Sequence, residues 1–121
     1  MTSMTWPEWF VKTPPVILVG RAKDTLRKFV REIISGYMFI DVRVHPPDSS
    51  SYVIVELLLY DFPMSEGKES KYKYLKEEIR HSDAKTFVGD LLSVLKGGNY
   101  ILKDEKVESD GTIHLFYVKC A

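Results

Sequence analysis

The chain has 121 residues, 45% of them apolar and 28% charged, and its 17 Lys+Arg balance its 17 Asp+Glu to a formal net charge of zero. That balance argues against a generally polybasic nucleic-acid condenser, and the composition excludes a long disordered tail or a collagen-like repeat. At this size about two-thirds of the unfolded surface can be buried, enough for one core without metal or disulfide staples.

The single cysteine, Cys120, permits no intrachain disulfide. No apolar run approaches the ~18 residues needed to span a bilayer, and the N-terminus lacks a basic region followed by an apolar stretch. The expectation is an intracellular, cytoplasmic protein with no membrane partner.

Residues 1–15 form an aromatic N-terminal segment in which Thr5 can cap a short helical turn, with Pro7 near its start. Trp6, Trp9 and Phe10 place three rings within five residues. They either fold back on the core or dock onto a partner or a second copy of the chain. Residues 16–121 read as a single α+β domain. Its first element, Val16-Ile17-Leu18-Val19, lies between Pro14-Pro15 and Gly20 and reads as a central strand buried on both faces.

From Asp24 the period changes. Leu26, Phe29, Val30, Ile33 and Ile34 follow the stripe of an amphipathic helix, with Gly36 to end it. Met38, Ile40, Val42 and Val44 then alternate with Phe39, Asp41, Arg43 and His45, the pattern of a half-covered strand. The His45–Ser51 segment, rich in proline and serine, breaks it, and Tyr52–Tyr60 resumes strand character, so a hairpin joins the two.

Ser65–Ser70 reads as a polar loop, and Lys71–Arg80 as a weak helix with Leu75 and Ile79 as its apolar pair. A better helix starts at Ser82 or Asp83, buries Phe87, Val88, Leu91, Leu92 and Leu95, and stops at Gly97-Gly98. Two strands flanking Ser109-Asp110-Gly111 complete the chain as a hairpin. The expected architecture is an α+β two-layer sandwich in the order β-α-β-β-α-β-β, with two main helices packed on a mixed sheet.

Catalytic patterns are sparse. His45, His81 and His114 have no second ligand at a metal-binding spacing, and HExxH, CxxC, GxSxG, the P-loop pattern and GxGxxG are all absent. No metal and no cofactor is expected. Charge, in contrast, is unevenly placed. Arg21, Lys23, Arg27, Lys28 and Arg31 stand against the single acid Asp24 across eleven residues, and the spacing of Lys23, Arg27, Lys28 and Arg31 puts these four opposite the apolar stripe. This ridge is either a solvated helix face or a phosphate-contacting one, where clustered cations neutralise backbone charge without reading sequence. Lys68, Lys71, Lys73 and Lys76, interleaved with Tyr72 and Tyr74, form a second basic element that nearby glutamates dilute.

Val16-Ile17-Leu18-Val19-Gly20-Arg21-Ala22-Lys23, the helix to Ile34, Gly36 and the strand through Val44 resemble the Alba superfamily of small chromatin and RNA-binding proteins. The helix near Phe87–Leu95 and the terminal Ile113–Lys119 strand continue the likeness. The resemblance implies a homodimer that binds DNA or RNA through the turn after the first strand, with Arg21 and Lys23 in the basic turn.

The resulting reading is a small non-enzymatic binding module that contacts DNA or RNA phosphates through Arg21, Lys23, Arg27, Lys28, Arg31 and Arg43. The alternative is a protein-interaction or self-association module using Trp6, Trp9 and Phe10 together with a sheet edge.

Overall fold

The computed structural model describes residues 5–61 and 72–120. A short helix α1 (Glu8–Val11) is followed by α2 (Gly20–Ile34), whose Ala22, Thr25, Phe29 and Ile33 are buried along one side. Three strands come next, β1 (Phe39–His45), β2 (Tyr52–Tyr60) and β3 (Tyr72–Arg80), then α3 (His81–Gly97), β4 (Tyr100–Val107) and β5 (Ile113–Lys119). Helix α3 buries Ala84, Phe87, Val88, Leu91 and Leu95. Neither long helix meets the length and apolarity needed to cross a membrane, and no other described helix does.

The strands form one five-stranded sheet in the order β3-β2-β1-β5-β4, and every neighbouring pair is antiparallel. Strict alternation sends Ile40, Val42 and Val44 of β1, Val53, Val55, Leu57 and Leu59 of β2, and Ile113 and Leu115 of β5 to one face, where all are buried. Phe29 and Phe87 meet edge to face there, with ring centroids 5.6 Å apart, and join α2 to α3 over the sheet.

This arrangement overturns the expected β-α-β-β-α-β-β sandwich on a mixed sheet in three respects. First, Val16–Val19 is extended but belongs to no strand. Two prolines precede it, the Val16 N–H donates to Thr86 Oγ1 (3.0 Å), and only Leu18 turns inward, while Ile17 is 87% and Val19 72% exposed. Second, Tyr72–Arg80 is a strand, paired with β2 over nine residues. The four-residue spacing of Leu75 and Ile79 suits a strand as well as a helix, and the aromatic Tyr72 and Tyr74 favour the strand. Third, among the described residues the only helix connecting two strands, α3, joins the opposite sheet edges β3 and β4, and all neighbouring strands are antiparallel. The Ser65–Ser70 loop, with Lys68 and Lys71 of the second basic element, lies outside the described residues.

Candidate nucleic-acid interface

Burial of Ala22, Phe29 and Ile33 forces the residues half a turn away into solvent, so Lys23, Arg27 and Arg31 line up along the outer side of α2 at i, i+4 and i+8. Arg21 and Lys28 flank them, and all five cations are exposed. Lys28 reaches across to Glu77 of β3 (2.9 Å), and Arg27 makes a long contact to Asp24 on its own helix (3.5 Å). Among the described residues no carboxylate pairs with Arg21, Lys23 or Arg31. The two pairs that do form are at the surface, where such bonds contribute about 0–1 kcal/mol and leave the field of the ridge largely intact.

Leu26, Val30 and Ile34 run beside the cations and with them line a shallow groove of about 380 Å³. At the other end, Gly20 takes φ +59°, a left-handed conformation that only glycine adopts freely, and turns the chain into α2. No side chain caps α2 or α3. The starts of both helices meet in a groove of about 400 Å³ lined by Arg21 and Ala22 on one side and Arg80, Ser82 and Asp83 on the other. Unbonded N–H groups at helix starts favour anions. Glu78 and Asp83 also line this groove and offset Arg21 and Arg80, so the positive excess lies on the outer side of α2.

Arg43 does not join this surface. It stands on the sheet face turned away from the helices, exposed, between Glu56 of β2 and His114 of β5. The structure therefore assembles five of the six expected cations on α2 and places the sixth on the opposite side.

Around Arg43 lies a polar cluster that local sequence reasoning missed. Asp41 accepts hydrogen bonds from Tyr60 Oη (3.0 Å) and His114 Nε2 (2.9 Å). Glu56 accepts from His45 Nε2 and Tyr74 Oη. Burial pushes the Glu56 carboxyl up, but the bonds from His45 and Tyr74, together with the charges of His45 and Lys76, hold the group below its ordinary value. Burial, then the Asp41 bond, drives the Tyr60 hydroxyl up to about 12. Among the described residues no three His, Cys, Asp or Glu side chains converge as metal ligands. The one available signal was the alternation of Asp41, Arg43 and His45 along β1. Their partners come from β2, β3 and β5, which only register brings together.

Tyr60 binds its proton more tightly when folded than when unfolded. Its contribution is therefore complete below the ordinary tyrosine value near ~10 and lost as pH rises towards 12. Urea unfolding should show stability falling across that window, with a shallower fall in Tyr60→Phe. Equal slopes in the two proteins would contradict the assignment.

The N-terminal aromatics pack inward. Phe10 is buried, Trp6 stacks on it at 4.9 Å, and Trp9 meets it edge-on at 5.8 Å. Trp9 Nε1 donates to the Gly111 carbonyl (3.0 Å) in the β4–β5 turn, while the Trp9 carbonyl accepts from His81 Nε2 (2.7 Å) and Thr13 Oγ1 (3.0 Å). Gly111, at φ +91°, leaves room for this contact; a Cβ there would sit 3.3 Å from Trp9 Nε1.

No family model, no curated protein and no solved structure matches the chain at a significant level.

Proposed function

We propose that the protein is a small binding module that grips nucleic-acid phosphates with the outer side of α2. The observation that carries this reading is the exposure of Arg21, Lys23 and Arg31, without acidic partners among the described residues, on a chain whose net charge is zero. A locally unneutralised row of cations on a rigid helix meets successive phosphates without reading base identity. Arg27 adds a fourth contact, since its 3.5 Å bond to Asp24 is readily exchanged. The resemblance of Gly20-Arg21-Ala22-Lys23 to the Alba basic turn supports the same end of the helix, although here an unpaired extended segment precedes the turn.

Four phosphates neutralised on duplex DNA correspond to a slope of log K against log [salt] of about −3.6, or a loss of roughly a hundredfold in affinity between 50 and 200 mM salt. Labelled duplex DNA and single-stranded RNA titrated at these two concentrations test it, alongside a variant carrying Arg21→Glu, Lys23→Glu and Arg31→Glu. The wild type should bind at low salt and the variant should not, with an unchanged circular dichroism spectrum. Absence of binding at low salt, or equal binding by the folded variant, overturns the reading.

A further inference from the structure

We propose that the open edge of the sheet at β4, together with the groove beside it, binds an extended acidic peptide segment of a partner protein as an added strand. The end strands of the sheet, β3 and β4, each leave one side of their backbone without a strand partner. Folded proteins guard such edges with charged side chains. On β3 the guard is dense, with Lys73, Lys76, Glu77, Glu78 and Arg80 among its nine residues. The first part of β4, Tyr100-Ile101-Leu102, carries no charge, and its Ile101 is 46% and its Leu102 38% exposed. The charges of β4 and a bulge between Leu102 and Asp104 come only after this stretch.

The direction of the backbone groups follows from the ladder. In an antiparallel pair, successive residues alternate between bonding the partner strand and turning their N–H and C=O groups away from it. The Asn99 carbonyl accepts from the Cys120 N–H (2.7 Å), so Ile101 bonds towards β5 while Leu102 turns its N–H and carbonyl to the open side. Lys119, opposite Tyr100, has the same phase, because its N–H goes to the Met38 carbonyl (2.8 Å) and away from β4. An incoming strand thus finds a donor and an acceptor at Leu102, the main-chain bonding on which strand addition rests.

The side chain of the same residue faces the groove. Leu102 stands opposite the buried Tyr117 on the helix side of the sheet, and both line, with Leu92 of α3, a groove of about 620 Å³. A strand laid on β4 sends alternate side chains into this groove and onto the outer face beside Ile101. Lys96 is the one charged side chain lining the groove, and it has no ion-pair partner among the described residues. Lys103 is exposed just past Leu102, and Lys119 Nζ lies 5.9 Å from the centre of the Tyr100 ring. Cations around a short apolar edge select a segment that carries carboxylates and reject one that carries lysines. Asp104 and Glu105 lie beyond the bulge, so the carboxylate of the incoming strand belongs at the Tyr100 end, beside Lys96.

Nuclear magnetic resonance titration of the full chain tests the proposal with three synthetic peptides. One is Glu-Val-Thr-Val-Thr-Val-Glu with blocked ends, the second has lysine in place of both glutamates, and the third is the first with alternate backbone nitrogens methylated. The acidic peptide should shift the Leu102 amide resonance to saturation and slow its hydrogen exchange at least fivefold. The lysine peptide should bind at least tenfold more weakly, and the methylated ones, prepared in both alternations, should include one that does not bind. Lys96→Glu, a change at an exposed site, should reverse the preference between the first two peptides. No saturating shift at Leu102, equal binding by both methylated forms, or a preference that survives Lys96→Glu overturns the proposal. The variant carrying Arg21→Glu, Lys23→Glu and Arg31→Glu should bind the acidic peptide as the wild type does, which keeps this test separate from that of phosphate binding on α2.

Discussion

Phe87→Ala lowers the free energy of unfolding by about 3–5 kcal/mol, the cost of removing a fully buried aromatic ring and leaving most of its volume empty. Phe87 has no exposed surface and contacts Phe29, also fully buried, edge to face. The pair sits where α2 and α3 lean on each other, so neither helix can close the gap without withdrawing from the sheet. A domain of this size is stable by only about 5–15 kcal/mol, which makes the change a large share of the total. Guanidinium unfolding should show it directly, together with a melting temperature lower by roughly 10–20 °C. Phe87→Leu retains much of the volume and should cost well under half as much. A loss below about 1 kcal/mol for the alanine variant would mean that the two helices do not share this core.

Trp9→Ala lowers stability by about 2–3 kcal/mol, less than a core aromatic because the ring is only half-buried. The side chain ties the first described residues to two distant elements, bonding the Gly111 carbonyl 102 positions away and lying 5.9 Å from the His81 ring. Trp9→Phe separates the contributions. It keeps most of the ring contact with Phe10 but leaves the Gly111 carbonyl without its indole donor, a loss of about 1 kcal/mol. Denaturation of both variants by urea gives the comparison. If Trp9→Ala unfolds within ~0.5 kcal/mol of the wild type, the segment contributes no more than an ordinary surface residue.

The basic ridge was legible in the sequence because its cause is local. Once Phe29 and Ile33 are buried, the 3.6-residue period dictates that Lys23, Arg27 and Arg31 point outward. The same reasoning found Trp6, Trp9 and Phe10 as a group, while leaving open that they fold onto the core, where the structure places them. It failed for Arg43, which belongs to a different surface, because a residue on a strand has no defined neighbours until the adjoining strands take their register. His45 and His114 show this most clearly. In sequence neither has a partner at a recognisable spacing, yet each meets a carboxylate on a neighbouring strand, Asp41 and His114 being 73 positions apart.

Sequence by itself determined the elements whose causes lie within a few residues. The apolar stripes specify α2 and α3, and turn chemistry with alternation specifies the β1–β2 and β4–β5 hairpins. Only tertiary structure decided that Val16–Val19 stays out of the sheet, that Tyr72–Arg80 pairs as its edge, and that β5 lies beside β1. Those outcomes depend on which distant residues compete for the same backbone donors and the same apolar face, a competition that local periodicity does not encode. The net charge of zero divides in the same way. Its sum is a property of composition, but the separation of Lys23 and Arg31 from the acids on the sheet is a consequence of packing.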